Sequence, residues 1–203
     1  MKREKLWMWI FVFLLVGAIT STMMLLGTRF GSAQQESLNL QGTVVVHIGE
    51  TGGLSAQVAY AMEFLEANVT SLQDLPALQN LPEMGLNDSV TVIFDATWIT
   101  DRVNDTNLHE FFREAASKGV ALVTIGNETS NLYYALDYAG VYNSVYEENG
   151  TIVDRNPVSF NPIMAGFKMK SAVTETGKQH QYPSIFGSNA GDVDSLVQAL
   201  AEW

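Results

Sequence analysis

The sequence predicts an α/β fold, a mostly parallel sheet with helices on both faces, placed behind one N-terminal transmembrane helix. Three observations predict it. From residue 43 onward, short apolar runs alternate with amphipathic helical stretches. The runs are apolar throughout rather than at every second position, which is the pattern of strands covered on both faces. Ahead of them, Leu6 to Leu26 reads LWMWIFVFLLVGAITSTMMLL, 21 residues without a charge.

At 1.5 Å per residue that segment spans roughly 31 Å, about the hydrocarbon thickness of a bilayer. Trp7 and Trp9 stand near one end, where indoles prefer the interface. Lys2, Arg3 and Lys5 precede it and only Arg29 closely follows. The excess of bases on the leading side predicts a cytoplasmic tip over residues 1–5 and an extracytoplasmic remainder. Gly17 and Ser21 form a small-residue pair on one helix face, a place where a second helix can approach. Gly31-Ser32-Ala33 also reads as a cleavage pattern, so removal of the leader after Ala33 stays open. Residues 27–42 are rich in Gly, Ser and Gln and read as a linker. The domain then occupies residues 43–203.

Its elements follow in order. TVVVHI (43–48) is a β-branched run suited to a buried strand. Gly49-Glu50-Thr51-Gly52-Gly53 makes a turn, and Val58, Ala61, Met62 and Leu65 recur at helical spacing between Ser55 and Asn68. A short strand is expected over Val69–Leu72, then a packed loop broken by Pro76 and Pro82. SVTVIFD (89–95) is the next strand. Leu108, Phe111, Phe112 and Ala115 mark one face of a helix over 104–118, which Gly119 ends. Val120–Ile125 is a third buried run, and a helix over 129–138 closes at Gly140. Beyond it, Asn149-Gly150 signals a hairpin between strands at 141–147 and 151–154. Pro162–Lys170 reads as a further strand, and Val193, Leu196, Val197 and Leu200 as a final amphipathic helix.

Composition limits the function classes. Of 22 acids and 11 bases, Glu4 and four bases (Lys2, Arg3, Lys5, Arg29) precede residue 34, which leaves 21 acids against 7 bases, a net charge of −14. Such a surface repels phosphate backbones and excludes nucleic acid as a partner. There is no cysteine, hence no disulfide, thiolate nucleophile or cysteine metal site. In a domain held outside the cytoplasm this favours a prokaryotic, archaeal-type surface protein. Asn-x-Ser/Thr occurs at Asn68, Asn87, Asn104, Asn127 and Asn149. Chance gives about two such triplets, so N-linked glycans are expected at several of them.

The stretches VTVIFDATW (90–98), FFREAASKGVALVTIG (111–126) and GNETSNLYYALDYAG (126–140) resemble the class I glutamine-amidotransferase-like fold, a flavodoxin-like architecture, over about residues 43–141. Active members of that family carry a cysteine nucleophile on a sharp Gly-x-Cys-x-Gly elbow, beside backbone amides that stabilise the oxyanion. Here the elbow is Gly126-Asn127-Glu128-Thr129-Ser130, so Glu128 takes the nucleophile's place and the second glycine is a serine. The resemblance therefore implies the fold and a pseudoenzyme.

Ligands of doubly wound sheets bind at the C-terminal strand ends. The residues expected there are Glu50, Thr51, Gly52, Gly53, Asp95, Thr97, Asn127 and Glu128. Of these, Glu50, Gly52, Gly53, Asp95 and Glu128 are the candidate ligand-binding set. Gly52 and Gly53 open a helix without the Lys-Ser/Thr of a phosphate loop, and the turn with Ser55 as helix cap is the simpler account. Glu50, Asp95 and Glu128 are an acidic trio able to bind a cation or exchange protons. A glycan on Asn127 would crowd the same edge. His47 reads as a core histidine, and His109 and His180 lack metal-ligand spacing. No catalytic residue, metal or cofactor is expected. The function so read is a binding or assembly subunit of a surface or membrane complex, with the bilayer and other membrane or surface proteins as partners. The alternatives are a hydrolase of surface glycans or peptides working through the carboxylates, and a solute-binding receptor.

Overall fold

In a computed structural model, residues 38–76, 80, 85–142, 145–148, 151–154, 161–173, 177 and 179–203 are described. Asn39–Trp203 form one unit. Its strands are β1 (Val44–Ile48), β2 (Asn68–Leu72), β3 (Val90–Asp95), β4 (Ala121–Ile125), β5 (Val145–Glu148), β6 (Thr151–Asp154), β7 (Met164–Val173) and β8 (Gln179–Ser188). Its helices are α1 (Leu54–Glu63), α2 (Ala96–Thr100), α3 (Thr106–Ser117), α4 (Asn131–Tyr138) and α5 (Val193–Glu202).

Six strands form one sheet in the order β2-β1-β3-β4-β7-β8. β1 pairs in parallel with β2 and β3, and β3 with β4. The β1–β3 junction is where the chain order reverses, the crevice at which doubly wound sheets bind ligands. Side chains alternate across the sheet. Val46, Ile48, Val92, Phe94, Leu122 and Phe167 join the core beneath α2, α3 and α4. His47 turns to the opposite face, where its ring meets Ser55 of α1. That face is covered by α1 and α5, which pack on each other. Helices on both faces explain the continuously apolar runs, since Val45, Val46 and Ile48 are all buried.

The expected architecture needs two corrections. The sheet is mixed rather than mostly parallel: β4 pairs antiparallel with β7, and β7 with β8. The reason lies in the connection after α4. Ile125 pairs with Met164, and Gly126 N–H bonds the Ile163 carbonyl at 2.9 Å. The chain has thus returned to the C-terminal edge of β4 before β7 begins, and β7 must run the other way. Second, no helix among the described residues is long and apolar enough to cross a membrane. The Leu6–Leu26 segment, with Gly17 and Ser21, the Ala33 cleavage point and most of the 27–42 linker, lies outside the described residues, as does Asn149.

Two elements escaped the sequence reading. The short helix α2 follows β3 directly. β8 contains Pro183, which reads as a breaker; it is tolerated because β8 is an edge strand, where a missing N–H need not break a ladder. The β5–β6 hairpin pairs Glu148 with Thr151, as the Asn149-Gly150 signal requires.

The core centres on Phe94, fully buried and ringed by Trp98, Phe111 and Phe112 at centroid distances of 5.7, 6.1 and 5.8 Å. The last two meet it edge-on, the arrangement ring quadrupoles prefer. Phe94→Ala is expected to lower unfolding free energy by about 3–5 kcal/mol. Urea denaturation checks it, and a loss under about 1 kcal/mol would show that these helices do not close on β3 as described.

Candidate functional site

The C-terminal ends of β1, β3 and β4 carry the expected residues along one edge. Glu50, Thr51 and Gly52 lie exposed in the turn after β1; Thr97, Asn127 and Glu128 are exposed after β3 and β4; Asp95 is half-buried at the tip of β3. What joins them is different from the acidic trio. Among the described residues no three His, Asp or Glu side chains stand together as a metal-ion set.

Asp95 is tied inward. Its Oδ1 accepts from Thr97 N–H at 2.9 Å, which caps α2. Its Oδ2 accepts from Ser55 Oγ at 3.2 Å. Ser55 is fully buried in the first turn of α1, and its hydroxyl lies 3.1 Å from His47 Nε2. Since the Ser55 proton goes to Asp95, His47 donates through Nε2–H and its Nδ1 is the lone-pair nitrogen. That Nδ1 is buried without a hydrogen-bond partner among the described residues. Ser55 is therefore not the helix cap expected from the sequence. Gly53 holds that position, without a side-chain cap bond, and Ser55 links β1 to β3 through α1.

Glycine makes the approach possible. Gly49 has φ +131°, and a Cβ there would come within 2.6 Å of Asp95 Cβ. Gly126, with φ +132°, plays the same part after β4, where a Cβ would meet Ala96 Cβ at 3.2 Å. Any side chain at Gly49 would drive Asp95 off its cap and strain the backbone at once.

The turn after β4 is sharp. Glu128 has φ +61°, a left-handed conformation uncommon for a residue other than glycine, asparagine or aspartate. Thr129 is buried and its Oγ1 donates to the Pro162 carbonyl at 2.6 Å. Asn161 Oδ1 accepts from Ser130 N–H at 3.3 Å at the head of α4. Asn131 Nδ2 lies 3.5 Å from Glu128 Oε2 and 2.9 Å from Thr100 Oγ1. The loop before β7 thus locks the turn, and Glu128 stands on it as an accessible carboxylate. Asn161, Asn131 and Thr100 carry no motif that sequence reasoning could have found.

Asn68, Asn87, Asn104 and Asn127 are all exposed. Asn87 Oδ1 already accepts from Ser89 N–H at 2.8 Å, a local turn within its own Asn-x-Ser triplet. His109 Nε2 meets the Val103 carbonyl at 2.8 Å, a structural contact. The His180 side chain lies outside the described residues.

Burial holds the His47 imidazole below its ordinary value of 6.5, and the Asp95 charge opposes this only in part. The unfolded chain therefore takes up a proton near pH 6.5 that the folded chain resists. His47 contributes stability fully above that pH and loses it as pH falls from about 6.5 toward the lowered folded value. Melting curves of wild type and His47→Gln are expected to converge on acidification through this window, the variant being flatter. Parallel curves would mean that His47 titrates alike in both states.

No protein-family model matches the chain. A phosphoglycolate phosphatase of Thermoplasma volcanium is 29% identical over 113 residues. The match covers half of this chain, and the chain spans about half the length of that curated relative.

Proposed function

We propose that this chain is a binding domain rather than a catalyst, and that its ligand-facing edge is the C-terminal end of β1, β3 and β4. One observation carries the reading: both oxygens of Asp95 are engaged inside the protein, one on Thr97 N–H and one on Ser55 Oγ. A carboxylate spent on a helix cap and a strand-to-helix link is not free to attack or to shuttle protons. The neighbouring elbow carries Glu128 where the amidotransferase-like fold carries its nucleophile. Glu50 and the Gly52-Gly53 turn supply the accessible part of the edge beside the crevice between β1 and β3. The partner in this reading is another protein of a surface assembly; glycans on Asn68 or Asn87, at the N-terminal ends of β2 and β3, leave the edge open, while Asn104, between α2 and α3, stands at the same end of the sheet as the edge. A glycan on Asn127 would confine binding to the Glu50–Gly53 side.

A second reading is a hydrolase, favoured by the partial likeness to a phosphoglycolate phosphatase. In that case Glu128 is the working group, because it is the exposed carboxylate on the most constrained turn of the edge. Phosphoglycolate hydrolysis by the purified chain decides between them. The binding reading expects no turnover above the uncatalysed rate. It also expects Asp95→Ala to lower stability by about 1–2 kcal/mol through the lost cap. Turnover that disappears in Glu128→Gln while the fold is retained would overturn it.

The backbone at Glu128 permits a separate check. Glu128→Gly removes a left-handed conformation that costs an L-residue about 1 kcal/mol or more. Thermal melting is expected to show a more stable protein by about 0.5–1 kcal/mol. A stability loss would show that the contacts of the Glu128 side chain outweigh its backbone strain.

A further inference from the structure

The outer side of α1 carries aromatic surface that is open to solvent. The helix buries Ser55, Ala56, Val58, Ala59 and Met62. Its backbone continues one residue past Glu63, since Phe64 keeps helical φ and ψ and its N–H reaches the Tyr60 carbonyl at 3.4 Å. Tyr60 and Phe64 are four residues apart and therefore neighbours on one helix face. Tyr60 is 41% exposed and Phe64 89%, the most exposed large apolar side chain among the described residues. The backbone holds that exposure in place. The N–H groups of Leu65 and Ala67 both bond the Met62 carbonyl, and Glu66 turns between them with φ +72°. Phe64 thus stands on a fixed corner rather than on a loop tip.

The chain enters the domain at the same corner. Leu40 N–H bonds the Leu65 carbonyl at 2.8 Å, and Asn39 Nδ2 lies 3.4 Å from Glu66 Oε2. Ahead of Leu38, residues 27–37 span at most about 40 Å even when fully extended. Before them comes Leu6–Leu26, without a charge. A bilayer that holds this stretch is therefore tethered to the Phe64 end of α1, not to the Gly53 end about 15 Å away. Aromatic side chains are the ones that settle at the boundary between headgroups and acyl chains. Glu63 and Glu66 are exposed on either side of Phe64, and their charge disfavours an anionic surface.

We propose that Tyr60 and Phe64 rest in a neutral, zwitterionic lipid surface and set how the domain stands on it. The inference rests on Leu6–Leu26 entering a bilayer and is separate from the strand-end reading. α1 begins beside Glu50–Gly53 and ends at Phe64, so the contact turns the C-terminal ends of β1, β3 and β4 away from the lipid. The edge with Asp95 and Glu128 is then presented to a partner rather than to the membrane.

The chain has no cysteine, so Phe64→Cys and Thr51→Cys each give one position for a nitroxide label, both at exposed residues. The full chain is reconstituted in phosphatidylcholine vesicles and measured by EPR. The label at residue 64 is expected to be more accessible to oxygen than to a water-soluble nickel complex, and the label at residue 51 the reverse. A second measurement needs no variant. In phosphatidylcholine nanodiscs, lipids with a nitroxide on the acyl chain should broaden the Tyr60 and Phe64 ring NMR signals and leave the Thr51 methyl signal unchanged. A chain that fails to float with the vesicles would remove the bilayer, and the contact with it. A chain that floats while residue 64 stays in water would overturn the contact alone. Spin–spin broadening between labels at residue 64 of two chains, without oxygen access, would overturn it in favour of a second copy. A glycan on Asn68, which opens β2 at this corner, would occupy the same space and overturn it too.

Discussion

The contact on which the rest depends is the crossing of Gly49 and Asp95. β1 and β3 run side by side, and their ends must pass within van der Waals contact before each chain turns into its helix. Gly49 has no Cβ to obstruct that passage, and Asp95 uses it to reach in two directions. One carboxylate oxygen starts α2. The other holds Ser55 at the head of α1, and Ser55 in turn holds His47 on β1. A strand, its neighbour and the two helices that follow them are thereby fixed relative to one another by three side chains. The fixed geometry also engages both oxygens of Asp95, one on Thr97 N–H and one on Ser55 Oγ.

Packing reinforces the same arrangement from the other face. Phe94, one residue before Asp95, points away from α1 into the cluster made with Trp98, Phe111 and Phe112. Trp98 belongs to α2, the helix that Asp95 caps, and its ring carries the Arg102 guanidinium at 4.3 Å. The cap and the aromatic core therefore stabilise the same five-residue helix, which would be too short to persist alone. On the other side of the sheet, the β7–β8 hairpin extends past its pairing with β4, with Val173, Tyr182 and Ile185 exposed. Trp203 from the end of α5 fastens it by lying over Gly166, a position where any side chain would collide with the indole.

Much of the parallel half was legible in the chain. Continuous apolar runs marked β1, β3 and β4. Gly119 and Gly140 marked the ends of α3 and α4, and both adopt the left-handed conformation expected there, with φ +77° and +69°. Asn149-Gly150 marked the hairpin. These signals are local, depending on side-chain period and turn conformation within a few residues. The role of Ser55 was misread for the same reason. A serine near a helix start usually caps it, and only the neighbouring strand reveals that its hydroxyl is claimed by Asp95.

What the sequence by itself determined is the buried strands β1, β3 and β4, the helices α1, α3, α4 and α5, the charge of the surface and the absence of a cysteine from the elbow at Glu128. The tertiary structure decided the direction of β7 and β8, since strand direction depends on where a connection returns to the sheet and not on the residues of the strand. It also decided that Asp95 faces inward and Glu128 outward. Both are carboxylates at strand ends, and nothing local tells them apart. The difference comes from Gly49 and Ser55, which stand 46 and 40 positions before Asp95 and are brought to it only when β1 and β3 pair.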